Sequence, residues 1–148
     1  MSRVTVSTDK SQLDIDLIHR YLSLESYWAK NIPRDVVERA VENSLCFGAF
    51  EEGRQIGFAR AVTDYAVFAY VGDVFVIESH RGRGVSKLIM KAMMEHPSLR
   101  GLRRWMLVTS DAHGLYRQFG FRELASPEKH MEIVVRNPYG APPVTLTS

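Results

Sequence analysis

The stretch from Ala66 to Met94 constrains the fold more than any other part of the chain. Its first half is a long apolar run, AVFAYVGDVFVI, whose β-branched and aromatic residues are typical of a central strand buried on both faces. Its second half repeats apolar residues at helical spacing from Val85, which predicts a helix over about 84–95. The strand WMLVT follows, so this order predicts a parallel, right-handed strand-helix-strand crossover.

Two helices and a hairpin are predicted ahead of that stretch. The order S-Q-L-D from Ser11 resembles a capping box, and apolar residues at helical spacing follow it over 12–24. Pro33 suits the first turn of a second, short helix. Two antiparallel strands are then predicted from LCFGAF and QIGFARAV, which a Glu-Glu-Gly turn separates. In the long strand, Gly72 indicates a β-bulge.

A helix and two more strands are predicted near the C-terminus. The helix begins at Ser110 and ends at Gly120, which is expected to form a left-handed cap. Strands are predicted near 121–125 and 130–136, where apolar and polar residues alternate in the second. The order ααβββαβαββ gives an α+β fold with a mixed, mostly antiparallel sheet flanked by helices. We expect one domain over 1–148, with a core of about 11–136 and a Pro/Gly-containing tail over 137–148.

Composition excludes several classes of protein. A chain of 148 residues with 45% hydrophobic and 24% charged residues is typical of a globular domain and not of a disordered one. Its net charge of +2 is too balanced for a nonspecific nucleic-acid binder. A lone Cys46 cannot form an internal disulfide, and no spacing suggests a metal site. With neither a membrane-length apolar run nor a signal peptide in MSRVTVSTDK, we expect a cytoplasmic protein without a membrane partner.

The loop ESHRGRG, which joins the central strand to its helix, has the composition of an anion-binding site. Glycines permit close approach of a ligand, and the N-H groups of a first helical turn attract negative charge. Arg81, Arg83 and Lys87 add positive charge. The P-loop pattern is absent, and the dinucleotide fingerprint fails because Lys87 replaces its third glycine. The residues alone leave both a phosphate-binding loop and a solvated turn open.

Two motifs resemble those of the GNAT superfamily of acyl-CoA-dependent N-acyltransferases. The order R-x-x-G-x-S from Arg81 is similar to the family's loop [QR]-x-x-G-x-[GA], with Ser86 in place of the last small residue. The segment TSDAHGLYRQFGF over 109–121 is similar to the family's N-x-x-A-x-x-x-Y-x-x-x-G-F, with Thr109 in place of Asn. Both motifs occur in the family's order, and the predicted elements agree with it over 11–136.

The resemblance implies that acetyl-CoA is the co-substrate, and the residues themselves indicate no metal. Its diphosphate would bind the backbone of 81–87, and its pantetheine arm would pair with the central strand. Val74 N-H would stabilise the oxyanion, and the central and following strands would splay apart to free such groups. The cofactor-binding residues so implied are Val74, Phe75, Val76, Arg81, Gly82, Arg83, Gly84, Val85, Ser86, Lys87 and Thr109.

The implied reaction is direct attack of a neutral primary amine on the thioester, with Tyr116 as the acid that protonates the departing thiolate. Tyr116 also lies on the apolar face of its helix, so a purely structural role stays open. The family's strand glutamate would fall at Tyr70, which leaves Asp73 as the acidic candidate for the base. Glu78, Asp64 and an ordered water chain are the alternatives.

The acceptor amine is not indicated by any motif. In similar proteins the N-terminal helices wall the acceptor site, so Tyr27, Trp28 and Tyr65 are candidate substrate-binding residues. A polyamine, an aminoglycoside, an amino acid and a protein terminus all stay open, as do a monomer and a homodimer. The rival hypothesis is an acyl-CoA-binding or sensing module without transfer activity. An RNA-binding role is disfavoured because the basic loop has no aromatic residues near it for stacking.

Overall fold

A five-stranded mixed sheet forms the centre of the fold in the computed structural model, which describes residues 3–140. The strands lie in the order β1-β2-β3-β4-β5, and all neighbours are antiparallel except the parallel pair β4 and β5. Their bounds are β1 Val4–Ser7, β2 Leu45–Glu51, β3 Arg54–Thr63, β4 Phe68–Val76 and β5 Arg104–Leu107.

Helices pack on both faces of this sheet. Within residues 3–140 they are α1 Ile15–Arg20, α2 Arg34–Glu42, α3 Val85–Met94 and α4 His113–Arg117. A π-helical turn over Tyr21–Glu25 continues α1, and short 3₁₀ turns lie at Lys10–Gln12, Glu78–His80, Pro97–Leu99 and Pro127–Lys129.

The packing of α3 depends on a glycine in β3. A Cβ atom at Gly57 would lie 3.0 Å from Cδ1 of Ile89 and 3.1 Å from the carbonyl oxygen of Phe75, so a side chain here would press on the helix and on the neighbouring strand. The next side chain, Phe58, points to the opposite face because side chains alternate along a strand. There it lines a cavity with residues of α1 and α2, such as Ile18 and Val37. One hydrophobic core therefore extends through the sheet.

Most of the predicted elements are confirmed. The hairpin, the central strand, the crossover helix and the parallel strand after it form where the sequence predicted them. Gly120 has the left-handed φ of 95° that a C-terminal cap requires. The capping box at Ser11 is wrong, because Asp14 is the N-cap of α1 and accepts a hydrogen bond from Leu17 N at 3.0 Å. Strand β1 was not predicted from the sequence.

The two strands predicted near 121–125 and 130–136 are wrong. Both regions are irregular, with the 3₁₀ turn at Pro127–Lys129 between them, and neither pairs with a strand in the described chain. Met131 and Ile133 are 98% and 97% exposed. Alternation is a property of the sequence alone, whereas a strand also needs a neighbouring edge for its backbone hydrogen bonds.

The last described residues are Tyr139 and Gly140. Tyr139 packs against the hydrophobic core. Most of the predicted tail, residues 141–148, lies outside the described residues. No helix within residues 3–140 has the length and apolar character needed to cross a membrane.

Candidate functional site

A cavity of about 460 Å³ opens where β4 and β5 separate. Their parallel ladder ends at Val71 opposite Leu107, although β4 continues to Val76. The splay predicted from the resemblance is therefore present. We name this cavity the central cavity. It is lined by six of the residues that the sequence predicted for the site: Tyr27, Trp28, Asp73, Val74, Thr109 and Tyr116.

A β-bulge shapes the wall of the central cavity. Two residues of β4, Asp73 and Val74, lie opposite the single residue Ala59 of β3. Asp73 has a left-handed φ of 52°, a conformation that aspartate adopts more readily than most residues. The bulge was predicted at Gly72 and lies one residue later. It turns the backbone at Val74, on the side where β5 no longer pairs with β4.

The basic loop (residues 78–84) leads from the end of β4 into α3 with open space above it. Gly82 and Gly84 have φ values of 77° and 76°, and a Cβ at either position would meet no atom within 4 Å. No side chain among the described residues caps α3. The first N-H groups of this ten-residue helix are consequently available to an anion.

Glu51 braces the basic loop from the end of β2. One carboxylate oxygen pairs with His80 Nε2 at 3.0 Å, and the other accepts from Arg83 at 2.8 Å. The hydrogen bond from His80, followed by that from Arg83, lowers the pKa of Glu51 below its usual range. Because Glu51 is the last residue of β2, these two contacts tie the basic loop to the sheet.

Arg81 also turns back toward the protein. Its Nε donates to Val76 O at 3.1 Å, and its guanidinium donates to the hydroxyl of Tyr21 at 2.8 Å. The Tyr21 ring stacks on Phe75 with 4.0 Å between ring centroids. Arg81 thus ties the loop to the last residues of β4 and to the helical segment after α1.

A polar group that the sequence analysis missed lies beside the bulge. Arg60 of β3 pairs with one carboxylate oxygen of Asp73 at 2.6 Å and donates to the Ser44 hydroxyl at 3.0 Å. The other oxygen of Asp73 accepts from Trp28 Nε1 at 2.8 Å. An arginine inside the apolar run QIGFARAV was the signal for such a pair, because a half-buried cation requires a partner.

Tyr116 of α4 lies against the central cavity and is 8% exposed. Burial, helped by Tyr27 and Asp111, raises the pKa of its phenol to about 12. The hydroxyl is therefore protonated at neutral pH and able to donate a proton. The ring also packs edge-on against Phe121, with 6.0 Å between centroids, so the side chain is held in place by the motif's last residue.

Thr109 and Tyr27 order the start of α4. Thr109 Oγ1 accepts from Ala112 N at 3.1 Å, and the Tyr27 hydroxyl accepts from Ser110 N at 3.1 Å. Tyr65, by contrast, lies in the turn between β3 and β4, is 52% exposed and does not line the central cavity. Cys46 is buried, and burial raises the pKa of its thiol to about 11, in agreement with a packing role.

Most of the chain also matches a known protein family. The pattern that describes the acetyltransferase (GNAT) family matches residues 15–121, which include the basic loop, the bulge and Tyr116. The chain belongs to the GNAT acetyltransferase family. The match confirms the resemblance that the two sequence motifs indicated.

Relatives of this GNAT protein agree with its fold. A crystal structure of a candidate GNAT acetyltransferase from Xanthomonas campestris pv. campestris is 57% identical, covers 95% of this chain and 99% of its own, and has a TM-score of 0.92. A candidate acetyltransferase of Gibberella zeae is 32% identical over 75% of this chain and 74% of its own. An aminoglycoside N-acetyltransferase solved in complex with CoA shares the fold, with 23% identity, a TM-score of 0.61 and coverage of 92% and 95%.

Proposed function

We propose that this GNAT protein is an N-acetyltransferase that transfers the acetyl group of acetyl-CoA to a primary amine by direct attack. One observation carries the proposal. A single cavity brings the bulged backbone at Val74 together with the protonated phenol of Tyr116, and the basic loop leads from the same strand. This arrangement offers an oxyanion donor, a proton donor and an anion site along one path.

The residues around the basic loop fit the diphosphate of acetyl-CoA. The left-handed glycines leave open the space that a phosphate needs, and the unpaired N-H groups of α3 face it. Lys87 in the first turn adds a positive charge. Arg81 and Arg83 act here mainly by fixing the shape of the loop, since both guanidinium groups already bind the protein. We assign the phosphate contacts to the backbone of 81–87.

Acetyl-CoA supplies an acyl group activated as a thioester. The protein then has two electrostatic tasks. The backbone N-H of Val74, next to the bulge, stabilises negative charge on the carbonyl oxygen, and the neighbouring Phe75 and Val76 align the pantetheine arm. Tyr116 gives its phenolic proton to the departing sulfur and recovers one from solvent. Such a donor must be protonated before the reaction, and a phenol with a pKa of about 12 is protonated at neutral pH.

The amine that attacks has to lose a proton, and we propose Asp73 as the group that receives it through a water molecule. Both of its oxygens already accept one hydrogen bond, but each carboxylate oxygen has a second lone pair. Asp64 is less suited, because it accepts from the backbone N-H groups of Ala66, Val67 and Phe68 in the β3–β4 turn. Tyr27 and Trp28 wall the acceptor side of the cavity.

A panel of amines tests the proposal. Polyamines, aminoglycosides, amino acids and short peptides are mixed with acetyl-CoA and protein, and released CoA is measured with a thiol reagent. Cys46 should interfere little with this assay because its thiol is buried. At least one amine should raise CoA release above the hydrolysis seen without acceptor, and mass spectrometry should find the acetylated amine.

The rival function is binding of acyl-CoA without transfer. It is favoured by Tyr70, which occupies the place of the strand carboxylate in similar proteins, and by the pairing of Asp73 with Arg60. Calorimetry with acetyl-CoA separates the two functions. Tight binding together with no turnover across the whole panel would support the binding module and contradict the transferase.

A further inference from the structure

Arg60 has a hydrogen-bond donor that the protein does not use. Its side chain is 21% exposed, and a guanidinium carries N-H groups on all three of its nitrogens. Nε donates to Asp73 at 2.6 Å, and Nη1 donates to the Ser44 hydroxyl at 3.0 Å. None of the residues 3–140 accepts a hydrogen bond from Nη2. The two N-H groups of Nη2 are therefore available to a ligand.

This unused nitrogen lies on the central cavity. A Cβ atom at Gly72 would be 3.9 Å from Arg60 Nη2, and Gly72 lines the central cavity. Every fully buried side-chain nitrogen or oxygen in the described part of the chain has a hydrogen-bond partner, so Nη2, which has none, is accessible. Arginine binds carboxylates through such N-H groups more strongly than it binds neutral acceptors. The position of Nη2 thus favours an acceptor that carries a carboxylate.

A second cavity adjoins the central cavity at the same arginine. It has a volume of about 210 Å³ and lies between the sheet and helices α1 and α2; we name it the apolar cavity. Trp28, Arg60 and Asp73 line both cavities. An apolar cavity of about 150 Å³ is large enough to bind benzene, so a branched aliphatic or phenyl group fits here. Most of the remaining wall is apolar and includes Ile18, Leu22, Ile32, Val37 and Phe58.

The boundary between the two cavities includes a side chain that can turn. Trp28 is 42% exposed and belongs to residues 26–33, which form neither helix nor strand. Its ring is held by one hydrogen bond to Asp73 and by an edge contact with Tyr27. Rotation of the Trp28 side chain would therefore connect the two cavities and leave the sheet in place.

We propose that the acceptor is a free α-amino acid with an apolar side chain, whose carboxylate binds Arg60 Nη2 and whose side chain enters the apolar cavity. This inference rests on the proposed transferase function and names its acceptor. In an α-amino acid one carbon separates the carboxylate from the amine. Because Arg60 is bonded to Asp73, a carboxylate on Nη2 keeps the amine close to Asp73, the group that we propose as the base.

The charges of the central cavity suit a zwitterion. Its charged lining residues, among those that the structure describes, are Arg60, Asp73 and Asp111. The arginine can bind a carboxylate, and the two aspartates attract an ammonium group. A polyamine would use the aspartates alone and would bring positive charge close to Arg60, which repels it. A free amino acid uses both signs of charge.

Calorimetry on the protein saturated with CoA tests the carboxylate contact without any transfer. Leucine, leucinamide and isoamylamine share one side chain, but only leucine has a carboxylate. Leucine should bind roughly tenfold or more tightly than the other two, because a hydrogen bond to a charged group is lost in both. The same comparison of phenylalanine with phenylalaninamide should give the same preference.

Arg60→Lys tests the assignment to Nη2. Lysine keeps the positive charge beside Asp73, but its single nitrogen cannot also replace the forked donors of arginine. The variant should bind leucine and leucinamide about equally. Arg54→Lys is the matched control, since Arg54 also belongs to β3 and lines neither cavity, and it should keep the preference of the wild type. Circular dichroism checks that each variant is folded.

Ala40→Leu tests the apolar cavity. Ala40 lines this cavity from α2, so a larger side chain there takes up part of its volume. Binding of leucine and phenylalanine should weaken several-fold relative to that of alanine, which has only a methyl group to place. An unchanged ratio between these amino acids would show that the side chain lies elsewhere, which contradicts the proposal.

Two further results would overturn the amino acid acceptor. They are equal binding of leucine and leucinamide by the wild type, and an unchanged preference for leucine in folded Arg60→Lys. If Arg60→Lys does not fold, the three leucine-related ligands on the wild type decide. Acetylation of amines without a carboxylate, together with no binding of amino acids, would leave the transferase standing and contradict this acceptor. Leucine that binds in the expected pattern but is never acetylated would support the amino acid site and contradict the transferase.

Discussion

Gly84 is the residue whose substitution tests the proposed diphosphate site. Its φ of 76° and the empty space around it mean that a side chain would project where we place the diphosphate. Gly84→Glu should abolish acetyl-CoA binding, because its carboxylate would occupy that space and repel phosphate oxygens. Calorimetry measures the affinity.

A matched control comes from Gly101, which lies in the turn before β5. Its φ is 77°, and a Cβ there would also meet no atom within 4 Å, so Gly101→Glu introduces equal backbone strain outside the site. That variant should bind acetyl-CoA as the wild type does. Equal loss of binding in both variants would show that strain, and not the position of the loop, is responsible.

Tyr116→Phe tests the proton donor. The change keeps the ring contact with Phe121 and removes only the hydroxyl. With any accepted amine, kcat should fall by roughly tenfold or more, since positioned proton donors contribute about 10²–10⁴-fold. Acetyl-CoA affinity and the melting temperature should change little, because the hydroxyl acts on the departing sulfur. Full kcat in this variant would remove Tyr116 from the mechanism.

The pKa of Tyr116 also predicts a dependence of stability on pH. Burial raises this pKa from 10.0 to about 12, so the folded state favours the protonated phenol. This preference contributes on the order of 1–3 kcal/mol to the free energy of unfolding below pH 10. The contribution is lost as the pH rises from about 10 through 12. Urea unfolding of wild type and Tyr116→Phe at several pH values measures the difference. Parallel curves from pH 9 to 12 would contradict it.

At the level of elements, the bulge in β4 couples strand geometry to the site. The left-handed Asp73 is held from two sides, by Arg60 of β3 and by Trp28 of the segment between α1 and α2. Both charged side chains are largely buried, at 21% and 12% exposure. Removing one partner would leave the other charge largely buried and uncompensated.

A double-mutant cycle on this pair measures the coupling. Arg60→Met and Asp73→Asn should each destabilise the protein by about 2 kcal/mol, and the double variant should cost less than the sum, with a coupling of about 1–3 kcal/mol. Urea unfolding provides all four free energies. Asn tolerates a left-handed φ, so the Asp73 variant tests charge more than strain. If the two single losses of stability add up to the loss in the double variant, Arg60 and Asp73 do not stabilise each other.

At the level of the whole molecule, a ligand that binds only the folded state stabilises the whole fold by mass action. The melting temperature of the wild type should therefore rise with acetyl-CoA concentration. Gly84→Glu should melt at a temperature that does not depend on acetyl-CoA. Differential scanning fluorimetry over a hundredfold range of acetyl-CoA concentration compares them, and a constant wild-type melting temperature would contradict binding.

Local patterns were sufficient to predict the central part of this fold. The strand, basic loop and helix of 66–94 are consecutive in the chain, so hydrophobic periodicity and glycine placement specify them directly. The two motifs that indicate the GNAT family are also continuous segments. For the same reason Gly120 was predicted as a left-handed cap, since a cap depends only on the residues next to it.

Pairing between distant parts of the chain was decided only by the tertiary structure. The partners of Asp73 lie 13 and 45 residues away, and Glu51 reaches the basic loop across 29 residues. No local pattern encodes such contacts, because they follow from strand register and from which elements become neighbours. The alternating segment 131–136 shows the limit most clearly. Its sequence has the period of a strand, yet the period does not specify which edge, if any, accepts it.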